Sequence, residues 1–256
     1  MSLFISHGAP TFALEPGLAG PALTRLGKQQ ARPAAVLVVS PHWMTPDLQV
    51  GLSAQPETIH DFRGFEQALY DLRYPAPGHP ELAHRALTVL RESGWQPVAN
   101  PHRGLDHGAW VPMRHLYPDA SVPVFQVSLP RNLHSDTAWK LGHALAPLQE
   151  EGVLIVGSGS LTHNLYDVRW RNPQVAHYAR EFSDWVRDAI LGGDVDRLLS
   201  TLELAPHADR AHPTSEHFLP LLVAAGAAGD GAAARVIEGG IEHAVLSMDS
   251  FLFDPR

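Results

Sequence analysis

Val36-Leu-Val-Val-Ser-Pro-His-Trp43 is the stretch whose reading decides the fold of this chain. Residues 36–39 form an unbroken, mostly β-branched aliphatic run with no polar side to turn toward water. Such a run suits a strand buried on both faces, as in the middle of a parallel sheet. Ser40-Pro41 is expected to end it, because proline has no N–H to give to a ladder. His42 is then the first large polar side chain past the strand, where open α/β sheets bind their ligands.

Working outward, two stretches repeat the pattern. Leu3-Phe-Ile-Ser-His7 sets His7 after a short apolar run and before Gly8-Ala-Pro10. Val153-Leu-Ile-Val156 runs through Gly-Ser-Gly-Ser-Leu-Thr into His163. If the three runs are parallel strands of one sheet, three imidazoles gather along one of its edges. The small side chains of residues 157–160 are expected to let a bulky substrate approach His163.

The segments between them read mainly as helices. One short helix is expected near Pro21 to Gln30. A second is opened by His79-Pro80, with Leu82, Ala86, Val89 and Leu90 on its buried face and Gly94 placed to end it. Ser135 or Asp136 can cap a third, carrying Leu141, Leu145 and Leu148 and stopping near Gly152. Asn172-Pro173 starts a fourth, with Tyr178, Phe182, Trp185 and Ala189 on one face. Residues 100–118 lead into a strand over Val122 to Ser128. Residues 44–78 read as a long irregular loop, a kind that often serves as a wall or lid. Residues 224–234 read as a helix end and a loop, and Glu242 to Phe253 as a further edge strand. Pro220 is awkward inside a helix, so His217 is expected at a strained helix start, with Thr214 and Ser215 as candidate caps. This alternation implies one domain over residues 1–256, an α/β/α layered fold around a central, largely parallel or mixed sheet.

The 256 residues, 45% hydrophobic and 18% charged, are those of an ordinary globular protein able to bury a large core. No apolar run approaches the roughly 20 residues that span a bilayer, and no basic region followed by a long apolar core opens the chain. A cytoplasmic protein with no membrane partner is therefore expected. The net charge of −8, with no basic block, argues against a nucleic-acid partner. The sequence leaves the oligomeric state open.

Cysteine is absent, which excludes disulfides, iron–sulfur clusters and thiolate ligands. A protein metal site must then use His, Asp and Glu, and the 16 histidines nearly match the 19 Lys and Arg combined. His84, His102, His115, His143, His177 and His243 lie in helix-like or loop stretches and read as solvated. His7, His42 and His217 are candidates for a nitrogen-rich site, with His163 as a fourth group. Each has an ordinary structural explanation: packing at the N-terminus for His7, capping a strand end for His42, bonding the Ser158–Ser160 turn for His163. All four together favour a site. Three other chemistries drop out. Gly157-Ser-Gly-Ser lacks the register of a nucleophile elbow. It is also too short, and lacks the lysine, for a phosphate loop. No Gly-x-Gly-x-x-Gly follows the first strand, as a nicotinamide site would need.

Seven motifs occur in one order: Ser6-His-Gly-Ala-Pro10, Val39-Ser-Pro-His-Trp43, Ile59-His-Asp-Phe62, Tyr74-Pro-Ala-Pro-Gly78, Leu105-Asp-His-Gly-Ala-Trp110, Thr162-His-Asn-Leu165 and Ser215-Glu-His-Phe-Leu-Pro-Leu221. In these the chain resembles the class III extradiol ring-cleavage dioxygenases, most closely the 4,5-DOPA dioxygenase branch. The resemblance implies a non-haem metal at one sheet edge and O₂-dependent opening of a catechol ring beside its two hydroxyls. It implies His7, His42 and His217 as metal ligands, His163 as a metal-proximal base or fourth ligand, and His107 facing substrate or O₂. Fe(II) is expected for activity, with Zn(II) as an alternative occupant. His60, Phe62, Tyr70 and Tyr74 are expected to form the wall against the ring. Protocatechuate-cleaving relatives resemble a two-histidine, one-carboxylate site, whereas here the third position reads Glu216-His217. His217 is favoured over Glu216. Three neutral imidazoles leave the full +2 charge on a divalent ion, which favours a bound catecholate, and they also suit zinc. Two rivals remain: a zinc hydrolase with Glu216 as base, and a binding module that kept the fold without turnover.

Overall fold

Val36 and Val38 face one side of a sheet, Leu37 and Val39 the other, and all four are fully buried. That two-sided burial is why the run carries no polar residue. The computed structural model describes residues 1–171 and 174–254. Its strands are β1 (Ser2–Ser6), β2 (Ala35–Thr45), β3 (Gln49–Gly51), β4 (Val98–Asn100), β5 (Val124–Pro130), β6 (Val153–Gly159), β7 (Ala233–Ile237), β8 (Ile241–Glu242), β9 (Leu246–Ser247) and β10 (Ser250–Asp254). Eight of them form one sheet in the order β4-β3-β5-β2-β6-β1-β10-β7, and β8 pairs with β9 apart from it.

The centre of the sheet, β5-β2-β6-β1, is parallel throughout. Antiparallel pairings of β3 with β5, β10 with β1 and β7 with β10 make the whole mixed. The helices are α1 (Ala19–Gln29), α2 (Gln67–Asp71), α3 (Pro80–Glu92), α4 (His107–Leu116), α5 (Ser135–Leu145), α6 (His177–Leu191), α7 (Val195–Leu199), α8 (Thr201–Leu204), α9 (Ala208–Ala211) and α10 (Leu219–Ala228). Apolar side chains of α1 and α4 pack with Val36 and Val38. Those of α3, α5, α6 and α10 pack with Leu37 and Val39. The result is the α/β/α layering expected of alternating helices and buried strands. Every residue from Leu219 to Ala227 is buried, which explains why α10 is apolar on all sides. Among the described residues, no helix is long and apolar enough to cross a membrane.

Several elements depart from the sequence expectation. The strand does not end at Ser40-Pro41. β2 continues to Thr45, but its pairing with β6 stops at Val39, and its register on β5 jumps between Val39 and Met44. Pro41 sits inside that irregularity, where no ladder N–H is required. Residues 44–78 hold β3 and α2 besides loop. Gly108 and Pro112 mask helix α4 in the sequence, and the Asp106 side chain caps it by accepting from the Ala109 N–H. The cap residue of α5 is His134, whose backbone N–H donates to Thr137 Oγ1. Helix α6 begins at His177, and the Asn172-Pro173 start lies outside the described residues. Trp185 is half-buried, with the Arg197 guanidinium 4.3 Å from its ring centre. Strand β10 is not an edge. It lies between β1 and β7, and the edge is β7, a mostly half-exposed strand whose Ala-rich sequence gives little β signal. Pro220 falls in the first turn of α10, where its missing N–H costs nothing, so it does not strain the helix start.

Candidate active site

Three imidazoles meet at the carboxyl edge of three adjacent strands. His7 directly follows β1, and its backbone N–H donates to the Gly159 carbonyl (2.9 Å). His42 is carried by the irregular part of β2. His217 lies two residues before α10, and its carbonyl accepts the Ser160 N–H (2.9 Å) just past β6. One ring nitrogen from each of the three lies within 4.8 Å of the others. The Nε2 atoms of His7 and His42 are 3.1 Å apart, close to the spacing of two nitrogens on one ion at about 2.0–2.1 Å.

Groups behind the imidazoles fix which nitrogen faces inward. Ser158 Oγ gives its proton to the Gly108 carbonyl. It must therefore accept from His7 Nδ1–H at 2.9 Å, leaving His7 Nε2 as a lone pair. His217 Nδ1 donates to Glu216 Oε1 at 3.0 Å, with the same consequence. His7 and His217 are nearly inaccessible, and burial, then the neighbouring imidazoles, push both well below the ordinary histidine range. Burial and His107 take His42 down to about 4, against the opposing pull of Asp106 and Asp61. All three are thus held neutral, the form that ligates a metal. A neutral three-nitrogen donor set with oriented outer partners fits a divalent transition metal.

The glycines of Gly157-Ser-Gly-Ser160 serve this packing rather than substrate access. A Cβ on Gly159 would lie 2.3 Å from the His217 carbonyl oxygen, and one on Gly157 would lie 1.9 Å from that of Pro220. The stretch is the end of β6, and its missing side chains let the His217 segment lie directly on the strand. Asp106, 1% exposed, ties two further pieces together. Its carboxylate accepts from Ser40 Oγ (2.8 Å), Gln126 Nε2 (2.8 Å) and Arg103 Nη2 (2.6 Å). It thereby anchors the residue before Pro41-His42 while capping the helix that starts at His107.

His107 is oriented by Asp61, which accepts from its Nδ1 (2.9 Å) and from its backbone N–H (2.8 Å). Burial works to raise the Asp61 carboxyl, but the His107 hydrogen bonds and charge outweigh it and bring it down to about 2. His107 Nε2 is left for the cavity. His163 is not among the three converging nitrogens. It groups instead with Glu216 and His217, its ring stacked on that of His217. Burial takes His163 down to about 4, against Glu216 and with His107.

A cavity of about 310 Å³ opens over these groups. His42, His107, His163 and His217 line it together with apolar side chains including Phe62, Phe65 and Trp170. Of the expected wall, Phe62 is in place. His60 and Tyr70 stand behind it, with ring centres 5.7 and 5.2 Å from that of Phe62. Tyr74 lies in the core, its hydroxyl donating to the Tyr117 carbonyl (3.0 Å), away from the cavity. Glu216 is engaged with His217. Of the histidines expected to be solvated, His102 and His143 are exposed. His84 is exposed but bonds the Pro80 carbonyl, and His177 pairs with Glu181. His115 is half-buried and donates to the Phe12 carbonyl, and His243 packs on Trp170. Asp61, Ser158, Phe65 and Trp170 were not assigned from sequence. Asp61 lies in the Ile59–Phe62 motif beside His60, where a carboxylate is a usable signal. Ser158 bonds His7 and not the nearer His163, a pairing no local pattern shows. Nothing local marks Phe65 or Trp170.

Residues 21–248 match the family model described as the catalytic LigB subunit of aromatic ring-opening dioxygenase. The chain is 40% identical to a 4,5-DOPA dioxygenase extradiol of Beta vulgaris, over 98% of this chain and 96% of that one. It is 37% identical to the protein of the same name from Escherichia coli K12, over 96% and 92%. A crystal structure of an uncharacterized Escherichia coli K12 protein superposes with a TM-score of 0.81 at 32% identity, covering 98% of both chains. The chain belongs to the LigB family of aromatic ring-opening dioxygenases.

Proposed function

We propose that residues 1–256 act as one catalytic domain that opens a catechol ring beside its two hydroxyls, using O₂. The observation that carries this is the convergence of the His7, His42 and His217 ring nitrogens beside an apolar cavity lined by His42, His217 and two further imidazoles. In the net reaction the ring carbon–carbon bond next to the diol breaks and both atoms of O₂ enter the product, O₂ being the oxidant. His7, His42 and His217 would hold the metal, Fe(II) for activity and Zn(II) as an inactive occupant. When bound, Fe(II) supplies one centre at which catechol and O₂ meet.

The remaining work falls to this chain's side chains. His163 would take a catechol hydroxyl proton and return it later; burial keeps it neutral at physiological pH and also makes it a weaker base than a free imidazole. His107, its Nδ1 tied to Asp61, presents Nε2 as a fixed hydrogen-bonding atom beside the ring. Phe62 and its neighbours keep water from the ring face. Glu216 is occupied with His217 Nδ1, which disfavours it both as a ligand and as the base of a hydrolase. A cytoplasmic setting belongs to the same proposal.

Zinc binds nitrogen sites more tightly than Fe(II), so protein purified in air is expected to carry zinc and turn over poorly. Stripping the metal and restoring Fe(II) without oxygen should give O₂ uptake with a simple catechol and a yellow ring-opened product. Equal activity of the zinc form without O₂ consumption would replace this reading with hydrolysis.

A further inference from the structure

Outside the cavity, a second set of metal-ligating side chains meets where helix α6 packs near the turn before α9. His177, the first residue of α6, and Glu181, one turn further on, share a face of that helix. His207 comes from the turn itself. Both imidazoles converge on one carboxylate oxygen, Glu181 Oε2, which is 3.0 Å from His177 Nδ1 and 2.7 Å from His207 Nε2. The three ligand atoms all lie within 4.8 Å of one another, and none of the three residues lines the cavity.

Two observations separate this cluster from an ordinary surface ion pair. Among the described residues Glu181 pairs with no Lys or Arg, only with the two imidazoles. His207 has a left-handed backbone, φ 61°, a region uncommon outside glycine, and its side chain caps nothing on α9. That conformation delivers the ring to Glu181 instead. A zinc ion with bonds of about 2.0–2.2 Å needs donors roughly 3.3–3.5 Å apart. The two short edges here fall below this by a few tenths of an ångström, which exposed side chains can supply by small rotations.

We propose that His177, Glu181 and His207 form a surface site for a divalent transition metal such as zinc, bracing α6 against the segment beyond His207. The ion displaces the imidazole protons now directed at Oε2. Two nitrogens and one oxygen suit zinc or copper(II) better than calcium or magnesium, which prefer all-oxygen sets. Water completes the coordination, because all three side chains are open to solvent. The brace bears on the catalytic side of the molecule. Four residues beyond His207, the Ala211 carbonyl accepts the His163 N–H (2.8 Å), and the Arg210 carbonyl accepts from Asn164 Nδ2 (2.8 Å).

The test starts from protein whose cavity site is already filled with zinc. In equilibrium dialysis over rising free zinc, a second and weaker equivalent should bind, and the melting temperature should rise with it. His177→Ala, Glu181→Gln and His207→Gly should each weaken the second equivalent at least about tenfold, since loss of even an outer partner of a ligand costs ~10–100-fold. The first equivalent should stay, and the zinc-dependent rise in melting temperature should disappear. Glycine suits the left-handed backbone at 207, so without added zinc His207→Gly should melt no lower than the wild type. That separates loss of a ligand from loss of fold. No second equivalent in the wild type, or one that all three variants keep, overturns the proposal.

Discussion

The imidazole of His163 lies flat on that of His217, ring centres 3.5 Å apart and planes 7° from parallel. This puts His163 at the cavity wall, beside the three converging nitrogens without joining them. A base in that position should act on substrate and not hold the metal. His163→Gln is expected to lower kcat by ~10²–10⁴ while iron content and catechol binding persist. Iron stoichiometry and kcat measured on one preparation check it; an iron-free variant would make His163 a ligand and leave His107 as the better base.

Replacing His7, His42 or His217 by Ala should abolish tight metal binding, because each removes one of the three converging nitrogens. His84→Ala and His143→Ala, on the exposed surface, should keep a full complement. Metal analysis after dialysis distinguishes the sets, and stoichiometric metal in all three site variants would discard this ligand assignment.

Asp61→Asn tests the orientation of His107. The amide can still meet the backbone N–H, but it loses the charge that fixes the ring Nδ1–H. Loss of such a supporting partner typically costs ~10–100-fold in activity, which steady-state O₂ uptake will show. The metal should stay, since Asp61 touches His107 at 2.9 Å and His42 only at 3.6 Å.

Gly159→Ala should disturb the site from below. The added methyl would meet the His217 carbonyl oxygen at 2.3 Å, and neither the strand nor the segment leading into α10 can easily give way. Overpacking of this kind costs about 1–3 kcal/mol, and it should weaken metal binding as His217 moves. Denaturant midpoints and metal affinity would show both effects; unchanged values would mean that the segment is looser than its packing indicates.

His212 is buried, with Nε2 bonded to the Leu161 carbonyl and Nδ1 without a partner among the described residues. Burial takes it from 6.5 down to about 4, against the Leu161 bond. The folded-state value is depressed, so the unfolded chain takes up the proton first as pH falls. Its contribution is fully present above pH 6.5 and is lost as pH falls toward 4. At pH 5 the loss is about 2 kcal/mol. His212→Gln, which can still donate to Leu161, should flatten the decline in stability between pH 7 and pH 5 by about that amount. Urea unfolding at the two pH values measures the difference, and parallel curves would refute it.

The sequence by itself determined the layering, because residues 36–39 and 153–156 have no polar side and can only lie buried on both faces of a sheet. It also placed His7, His42 and His163 at strand ends, and ordered motifs carried the family. These signals are local: hydrophobic runs, prolines and histidines can be read within a few residues. What the tertiary structure alone decided is long-range. That Ser158 holds His7 across 151 positions, and Asp61 holds His107 across 46, follows from strand order and register. The same distance rule moved Tyr74 into the core and brought Phe65 to face Trp170. Helix α4 was hidden for a related reason. Gly108 and Pro112 argue against a helix locally; the Asp106 cap is a local contact, but the packing against α1 that holds the helix is made only once the chain has folded.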